Sequence, residues 1–396
     1  MKVLVINAGS SSIKYQLLDM ASGDDLASGI VERIGEEMGS ITYKTDSKVV
    51  NEQPFPTHRE GMVEVINMLT DADKGVVKDK AEIAAIGHRI VHGGELFFEP
   101  VEINDEVLQG IRDCIPLAPL HNPGHVIGIE TAMELFPGVR QVAVFDTSFH
   151  QTMEPKAYIY GVPYEYYEKY GLRRYGAHGT SHKYVAREAA KLLGKPMEES
   201  NIITVHLGNG ASISAVKNGK CYDTSMGLTP LGGIIMGTRC GDIDPAIVGF
   251  IAGRTNQTAA EVVATLTNES GLKGICGSND LRDIHARIEE GDERAELALD
   301  MACHRVRQFI GSYAFELGRV DAIVFTAGIG ENDPEYRARS LSGLENFGIT
   351  INHDKNWNWD RTPSYISDDD GAVKVAIIAT NEELEIANDT VKVLGL

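Results

Sequence analysis

The densest set of reactive groups in the chain lies near its start, in NAGSSSIK at positions 7–14. Alternating apolar residues (Val3, Val5) lead into this stretch and a second strand-like run follows, which predicts a hairpin. Its turn offers backbone N–H groups, the hydroxyls of Ser10 and Ser12 and the ammonium of Lys14 to one point, and such groups hold a phosphate. The spacing matches neither GxxxxGK[ST] nor GxGxxG, so the P-loop and Rossmann readings fail. Farther on, IITVHLGNGASISAV (202–216) repeats the pattern, laying Ser212 over Ser12, Ile213 over Ile13 and Val205 over Val5. Two phosphate-type hairpins in matching places indicate a duplicated nucleotide-binding fold.

Two arginine motifs follow. IGHRIVHGG (86–94) sets Arg89 among two histidines and two glycines, and IMGTRCGDIDP (235–245) sets Arg239 in a Gly-rich loop closed by two aspartates. Guanidinium forks suit carboxylate or phosphate, and glycines let a ligand approach the backbone. A structural salt bridge competes with ligand binding for either motif alone; one motif per half of the chain favours the ligand.

LAPLHNPGH (117–125) presents His121 before a Pro-Gly turn, and LRRYGAHGTSH (172–182) presents His178 between small residues. A loop histidine is more often a satisfied structural group than a catalyst. His178 has the stronger claim, because its loop opens a helix and carries Arg173 and Arg174. No HExxH spacing occurs, so metal ligation by imidazole lacks support. Asp146 in VFDTSFH stands at a strand end, where it either positions a metal-bound water, acts as a base, or initiates an Asx turn. DLRDI (280–284) offers Asp280 and Arg282 to a ribose and base, and GIGEN (328–332) offers backbone N–H groups. Glu382 begins the last helix, where acidic residues ordinarily match the helix dipole behind an N-cap at Thr380 or Asn381. Cys240 beside Arg239 has no neighbour that makes it a nucleophile.

Positioning these groups falls to an α/β chain. Strands are predicted at 3–7, 12–18, 83–87, 140–145, 202–207, 211–216, 322–326 and 374–379, and helices at 59–69, 124–135 and 182–193. The longest helix runs from Arg294 to Leu317, with Leu297, Met301, Val306, Ile310 and Tyr313 near one face and Gly318 as its stop. The strand of RQVAVFDTSFHQ (140–151) reads as the counterpart of that in VDAIVFTAGIGEN (320–332). Two domains are expected, 1–150 joined by the C-terminal helix 383–396, and 151–382. A length of 396 residues supports two cores. The net charge of −20 argues against nucleic acid and anionic membranes, while a locally basic pocket still accommodates an anionic substrate. Five scattered cysteines without CxxC spacing, no signal-peptide pattern and no spanning apolar run lead us to expect a cytoplasmic protein.

With these motifs assembled, the chain resembles the acetate kinase family, of the superfamily that includes sugar kinases, Hsp70 and actin. NAGSSSIK, GHRIVHGG, PLHNP, FDTSFHQTM, RRYGAHGTSH, HLGNG, GTRCGDIDP, DLRD, AGIGEN and TNEEL carry the likeness in order over essentially the whole length. The resemblance implies duplicated ribonuclease-H-like (actin-like ATPase) domains facing across a cleft, a homodimer, and reversible transfer of the ATP γ-phosphoryl group to acetate. It implies magnesium, with manganese as a substitute, at Asn7 and Glu382, and a phosphate path lined by Lys14, Ser10 and Ser12. Arg89 would hold the acetate carboxylate and Arg239 the phosphoryl group, with His178 stabilising the transition state and Asp146 donating or accepting a proton. ATP would be bound by His206, Leu207, Gly208, Asn209 and Gly210, by Asp280, Leu281 and Arg282, and by Gly328, Ile329, Gly330, Glu331 and Asn332. Val91, Leu120, His121 and Pro230 would bind the acid, the apolar ones around its methyl group.

Where the family commonly has phenylalanine this chain has Ala177, which makes propionate or butyrate an alternative acceptor. The segment GICGSN before DLRD is also one residue short of the usual pattern, which bears on the base contacts. A carboxylic acid acceptor with a pKa near ~4 is already ionised at neutral pH and needs no general base. Asp146 is therefore expected to orient His178, an arginine or a metal-bound water. A sugar kinase needs a true base and not paired arginines. An actin- or Hsp70-like module has no use for Arg89, Arg239 and His178 together.

Overall fold

The computed structural model describes residues 1–396, which divide into two compact units. The first comprises Met1–Phe149 with Asn381–Leu396, and the second His150–Thr380. The C-terminal helix, Glu382–Leu394, belongs with its N-cap Asn381 to the first unit. Asn381 caps it by accepting from the Leu384 N–H, and Glu382 is paired with Arg89 of the first unit. No helix is long and apolar enough to cross a membrane.

The first unit holds strands β1 (Lys2–Ala8), β2 (Ser12–Asp19), β3 (Asp24–Glu32), β4 (Gly39–Lys44), β5 (Lys48–Gln53), β6 (Ile83–Ile90), β7 (Val101–Glu102) and β8 (Arg140–Phe145). They form one sheet in the order β5-β4-β3-β2-β1-β6-β8-β7. The second unit holds β9 (Asn201–Leu207), β10 (Ala211–Lys217), β11 (Lys220–Thr224), β12 (Ala322–Thr326), β13 (Ser364–Tyr365) and β14 (Lys374–Ile377), in the order β11-β10-β9-β12-β14-β13.

Within the two sheets, β3-β2-β1-β6-β8 and β11-β10-β9-β12-β14 run alike. In both, an antiparallel meander of three strands is extended by two parallel ones. This repeated order is the duplicated actin-like ATPase fold. It also corrects the pairing of 140–151 with 320–332. β12 occupies the place of β6, and the counterpart of β8 is β14. Apolar strands at the centre of a parallel sheet look alike in sequence, so their order is not readable from them. The hairpins differ as well. Four residues separate the paired Ala8 and Ile13, but three separate Leu207 and Ala211. Ser12 thus starts β2 without a partner in β1, whereas Ser212 sits in its hairpin ladder opposite His206.

Helices cover the sheets in each unit. Asn122–Leu135 packs on β1 and β6, and Glu382–Leu394 packs on β1, β6 and β8 through Ile386, Ala387 and Leu394. The long helix Glu293–Leu317 is capped by Asp292, which accepts from the N–H groups of Arg294 and Ala295. Its buried stripe is Leu299, Ala302, Val306, Ile310, Tyr313 and Leu317, while Leu297 and Met301 face solvent, contrary to expectation. The 3.6-residue period through Val306 and Ile310 reaches Leu299, a position the sequence reading passed over for its neighbours. All five cysteines are free.

Candidate functional site

The carboxyl ends of β1, β6 and β8, three adjacent strands, carry Asn7, Arg89 and Asp146. The ends of parallel strands are where an α/β sheet presents ligand-binding groups. Arg89 lies opposite Val144 in the ladder, and the Asp146 N–H donates to the Ile90 carbonyl at 2.8 Å, which fixes the turn. From there Arg89 Nη2 donates to Asp146 Oδ2 at 2.5 Å. Arg89 Nε lies 3.8 Å from Glu382 Oε2.

Burial works against the Arg89 charge, but Asp146 and Glu382 outweigh it and hold the guanidinium above its usual pKa. Burial pushes the Glu382 carboxyl up to about 7; Asp146 and Glu383 add to the rise, Arg89 and Lys14 oppose it. Lys14 is ion-paired with Glu383.

The hairpin loop is braced from two sides. His58 Nε2 donates to the Gly9 carbonyl at 2.7 Å from the first residue of the helix His58–Leu69, behind a Thr57–Glu60 capping box. Gly124 of the helix Asn122–Leu135 approaches so closely that a Cβ there would meet the Gly9 carbonyl oxygen at 2.6 Å and Ser10 N at 2.9 Å. The loop after β6 is braced too: the Gly93 N–H donates to Thr147 Oγ1, and Asn122 Nδ2 to the His92 carbonyl. The histidines flanking Arg89 are structural. Burial pushes His88 down to about 4, and it bonds Gln141 at 2.7 Å; His92 Nδ1 accepts from the Gly94 N–H. Of the acid-binding candidates in this unit, Val91 is half-buried, while Leu120 and His121 are exposed beside the start of the helix Asn122–Leu135.

In the second unit, His178 precedes the helix Gly179–Leu193 in a left-handed conformation, φ 58° and ψ 25°. That conformation is uncommon for a residue with a Cβ and turns the ring away from the helix path. His150 Nε2 bonds the Ala177 carbonyl at 2.9 Å and holds the chain there. Ala177 itself is buried in this unit's core. The His178 ring stacks on His206, with centroids 4.2 Å apart and planes at 17°. His206 Nδ1 is held by Ser181 Oγ at 2.8 Å, and that oxygen also bonds Thr380 Oγ1.

Arg239 and His178 converge on Gly210. A Cβ at Gly210 would lie 3.3 Å from Arg239 Nη1 and 3.5 Å from His178 Nε2. Arg239 has no carboxylate partner; Nη1 donates to the Pro230 carbonyl at 3.2 Å, and burial lowers the guanidinium pKa. A half-buried cation without a counter-ion is suited to receive an anion.

A cavity of about 1020 Å³ lies in the same unit. Gly208, Asn209, Asp280, Leu281, Arg282, Gly328, Ile329 and Asn332 line it, which brings all three sequence motifs to one place. Asp280 caps the helix Leu281–Glu289 and holds the exposed Arg282 guanidinium at 2.6 Å. Glu331 serves the backbone instead: its Oε1 accepts from the N–H groups of Ala327 and Thr380. The segment Ala327–Asn332 is a short helix.

His285, Ile288 and Trp357 also line the cavity and were missed by sequence reasoning. The first two follow Leu281 at helical spacing, a signal that was available; nothing local marks Trp357.

A model described as the acetokinase family matches residues 2–388. An acetate kinase of Maridesulfovibrio salexigens is 91% identical over 396 residues, all of both chains. Among solved structures, the acetate kinase of Porphyromonas gingivalis superposes with a TM-score of 0.97 at 44% identity, covering 99% of each chain. A propionate kinase from Francisella tularensis gives 0.92 at 43%, again over 99% of each. Matched from end to end in sequence and in fold, the chain belongs to the acetokinase family.

Proposed function

We propose that the chain transfers the γ-phosphoryl group of ATP reversibly to acetate, in line, giving acetyl phosphate and ADP. The observation that carries this reading is Arg239, a half-buried cation without a counter-ion, beside His178 Nε2, in the unit whose cavity gathers the nucleotide motifs. A loose phosphoryl-transfer transition state needs positive charge on the equatorial oxygens more than it needs covalent chemistry. Arg239 and His178 supply that charge, and Arg89 holds the acetate carboxylate. Asp146 is already engaged by Arg89, so it orients that arginine and abstracts no proton, consistent with an acceptor that arrives ionised.

Asn7, Ser10, Ser12 and Lys14 handle the transferred phosphate, and His206 to Gly210, Asp280 to Arg282 and Gly328 to Asn332 the nucleotide. Magnesium fits the oxygen donors of Asn7 and Glu382, because this ion takes few protein ligands and keeps phosphate and water in its shell. A cation there also suits a Glu382 carboxyl that burial otherwise keeps reluctant to ionise. When bound, magnesium would neutralise phosphate charge. Val91, Leu120, His121 and Pro230 are assigned to the acid. A homodimer in the cytoplasm completes the reading, the free thiols suiting a reducing compartment.

A hydroxamate assay with acetate, propionate and butyrate, run with and without magnesium, tests it. Magnesium-dependent acyl phosphate formation, most efficient with acetate, is expected; no acid-dependent ADP release would refute it.

A further inference from the structure

Behind the His178 ring runs a buried chain of hydrogen bonds. Ser212 Oγ lies 2.8 Å from His178 Nδ1 and 2.7 Å from His182 Nε2. On the far side of His182, Nδ1 lies 2.7 Å from Thr204 Oγ1. Ser212, His182 and Thr204 are all fully buried, so no water competes for these groups. We propose that Ser212, His182 and Thr204 form a positioning relay that keeps the resident proton of His178 on Nδ1 and reserves Nε2 for the transferred phosphoryl group. The inference rests on the role given to His178 above and adds residues for which that reading has no use.

Proton counting sets the polarity. A serine hydroxyl has one hydrogen, so between two ring nitrogens it donates to one and accepts from the other. The Thr204 hydroxyl donates to the Ser214 carbonyl at 3.5 Å, which leaves its oxygen to accept from His182 Nδ1–H. His182 is neutral: burial pushes it well below its ordinary pKa, and His150 and His206 add to this. With its single proton on Nδ1, its Nε2 is bare and takes the Ser212 hydrogen. Ser212 then accepts from His178 Nδ1–H.

The long Thr204 bond alone would be a weak lever, but a second consideration points the same way. A cationic His178 must donate from both nitrogens, so only this polarity survives protonation of the ring without breaking the relay. Groups that face His178 include Arg239 at Gly210, the stacked His206 and Ser212; His150 faces His182 at 5.7 Å between centroids. Arg239 disfavours a charged ring in the empty enzyme, and an arriving anion reverses that.

Long-range proton–nitrogen spectra of the whole enzyme labelled with 15N-histidine read the tautomers directly, with His178→Asn and His182→Asn used to assign them. His178 is expected to be protonated on Nδ1 above its titration, and His182 on Nδ1 without titrating down to about pH 5. A bare Nδ1 on His178, or a titrating His182, would overturn the relay. In kinetics, Ser212→Ala should lower kcat about tenfold, the scale of one lost hydrogen bond. It should leave both KM values within about threefold and move the His178 titration to lower pH, and Ser212→Thr should restore both. A native kcat and titration in Ser212→Ala would also refute it. Full activity in His178→Asn would instead refute the role of His178, and the spectra would still decide the relay.

Discussion

Arg89 and Arg239 bring the same guanidinium into opposite circumstances. Arg89 is already neutralised by a buried Asp146, whereas Arg239 waits without a counter-ion. Arg89→Ala removes the cation bonded to a buried carboxylate, so it should lower the melting temperature as well as raise the KM for acetate far more than for ATP. Arg239→Ala should melt near the native temperature yet lose about 10²–10³ in kcat. Thermal melts beside steady-state kinetics separate the two; equal effects on both substrates in Arg89→Ala would sink its assignment. Asp146→Asn should lose turnover heavily without a changed pH dependence, since no proton is drawn from the acceptor.

Glu382 gives a pH signature. The folded protein disfavours its ionised form and the unfolded chain does not, so its contribution to stability falls as pH rises from the ordinary carboxyl range to about 7. Without magnesium, Glu382→Gln should therefore melt above native enzyme at pH 8 and converge with it at pH 5. At this scale residue types were legible because chemistry restricts them, and Arg89, Asp146 and Glu382 were all singled out. Their mutual pairing was not legible, because it joins residues 57 positions apart or more and exists only once β6 and β8 lie side by side.

At the scale of elements, the loop between β1 and β2 owes its shape to the helices beside it. Gly124→Ala drives a methyl group into the Gly9 carbonyl and Ser10, backbone atoms that cannot yield cheaply. It should cut kcat at least tenfold and lower the melting temperature by several degrees, measured by coupled assay and circular dichroism. The strands that frame the site, β1, β2, β6 and β8, announced themselves by apolar alternation or continuous apolar runs. By contrast, β3, β4 and β5 escaped notice. Their residues are largely polar or small, and β5 is almost wholly exposed at the sheet edge, so no burial pattern marks it. The braces from His58 and Gly124 were invisible for a different reason: a hydrogen bond to a carbonyl and a missing side chain leave no motif.

At the scale of the whole molecule, two units with separate cores should not melt as one. Calorimetry should resolve two transitions, and ADP should raise the midpoint of only one, because the cavity proposed to hold the nucleotide is built wholly from residues of His150–Thr380. A single transition displaced by ADP would contradict this. The duplication was legible from the hairpin echo, yet the equivalence of later strands was not, since buried parallel strands share one composition. The C-terminal helix also imposes an order of assembly. Its apolar face closes the sheet over Val3, Val5, Val142 and Val144, residues that leave the ribosome before the second unit does. The second unit is one uninterrupted segment and can fold as soon as it emerges. The first must wait while residues 150–380 are made, on the order of 10–50 s at ordinary synthesis rates, with that valine-rich face uncovered. During this interval the uncovered face should make the nascent chain a client for chaperones, and the unit that is begun earlier is the one completed later.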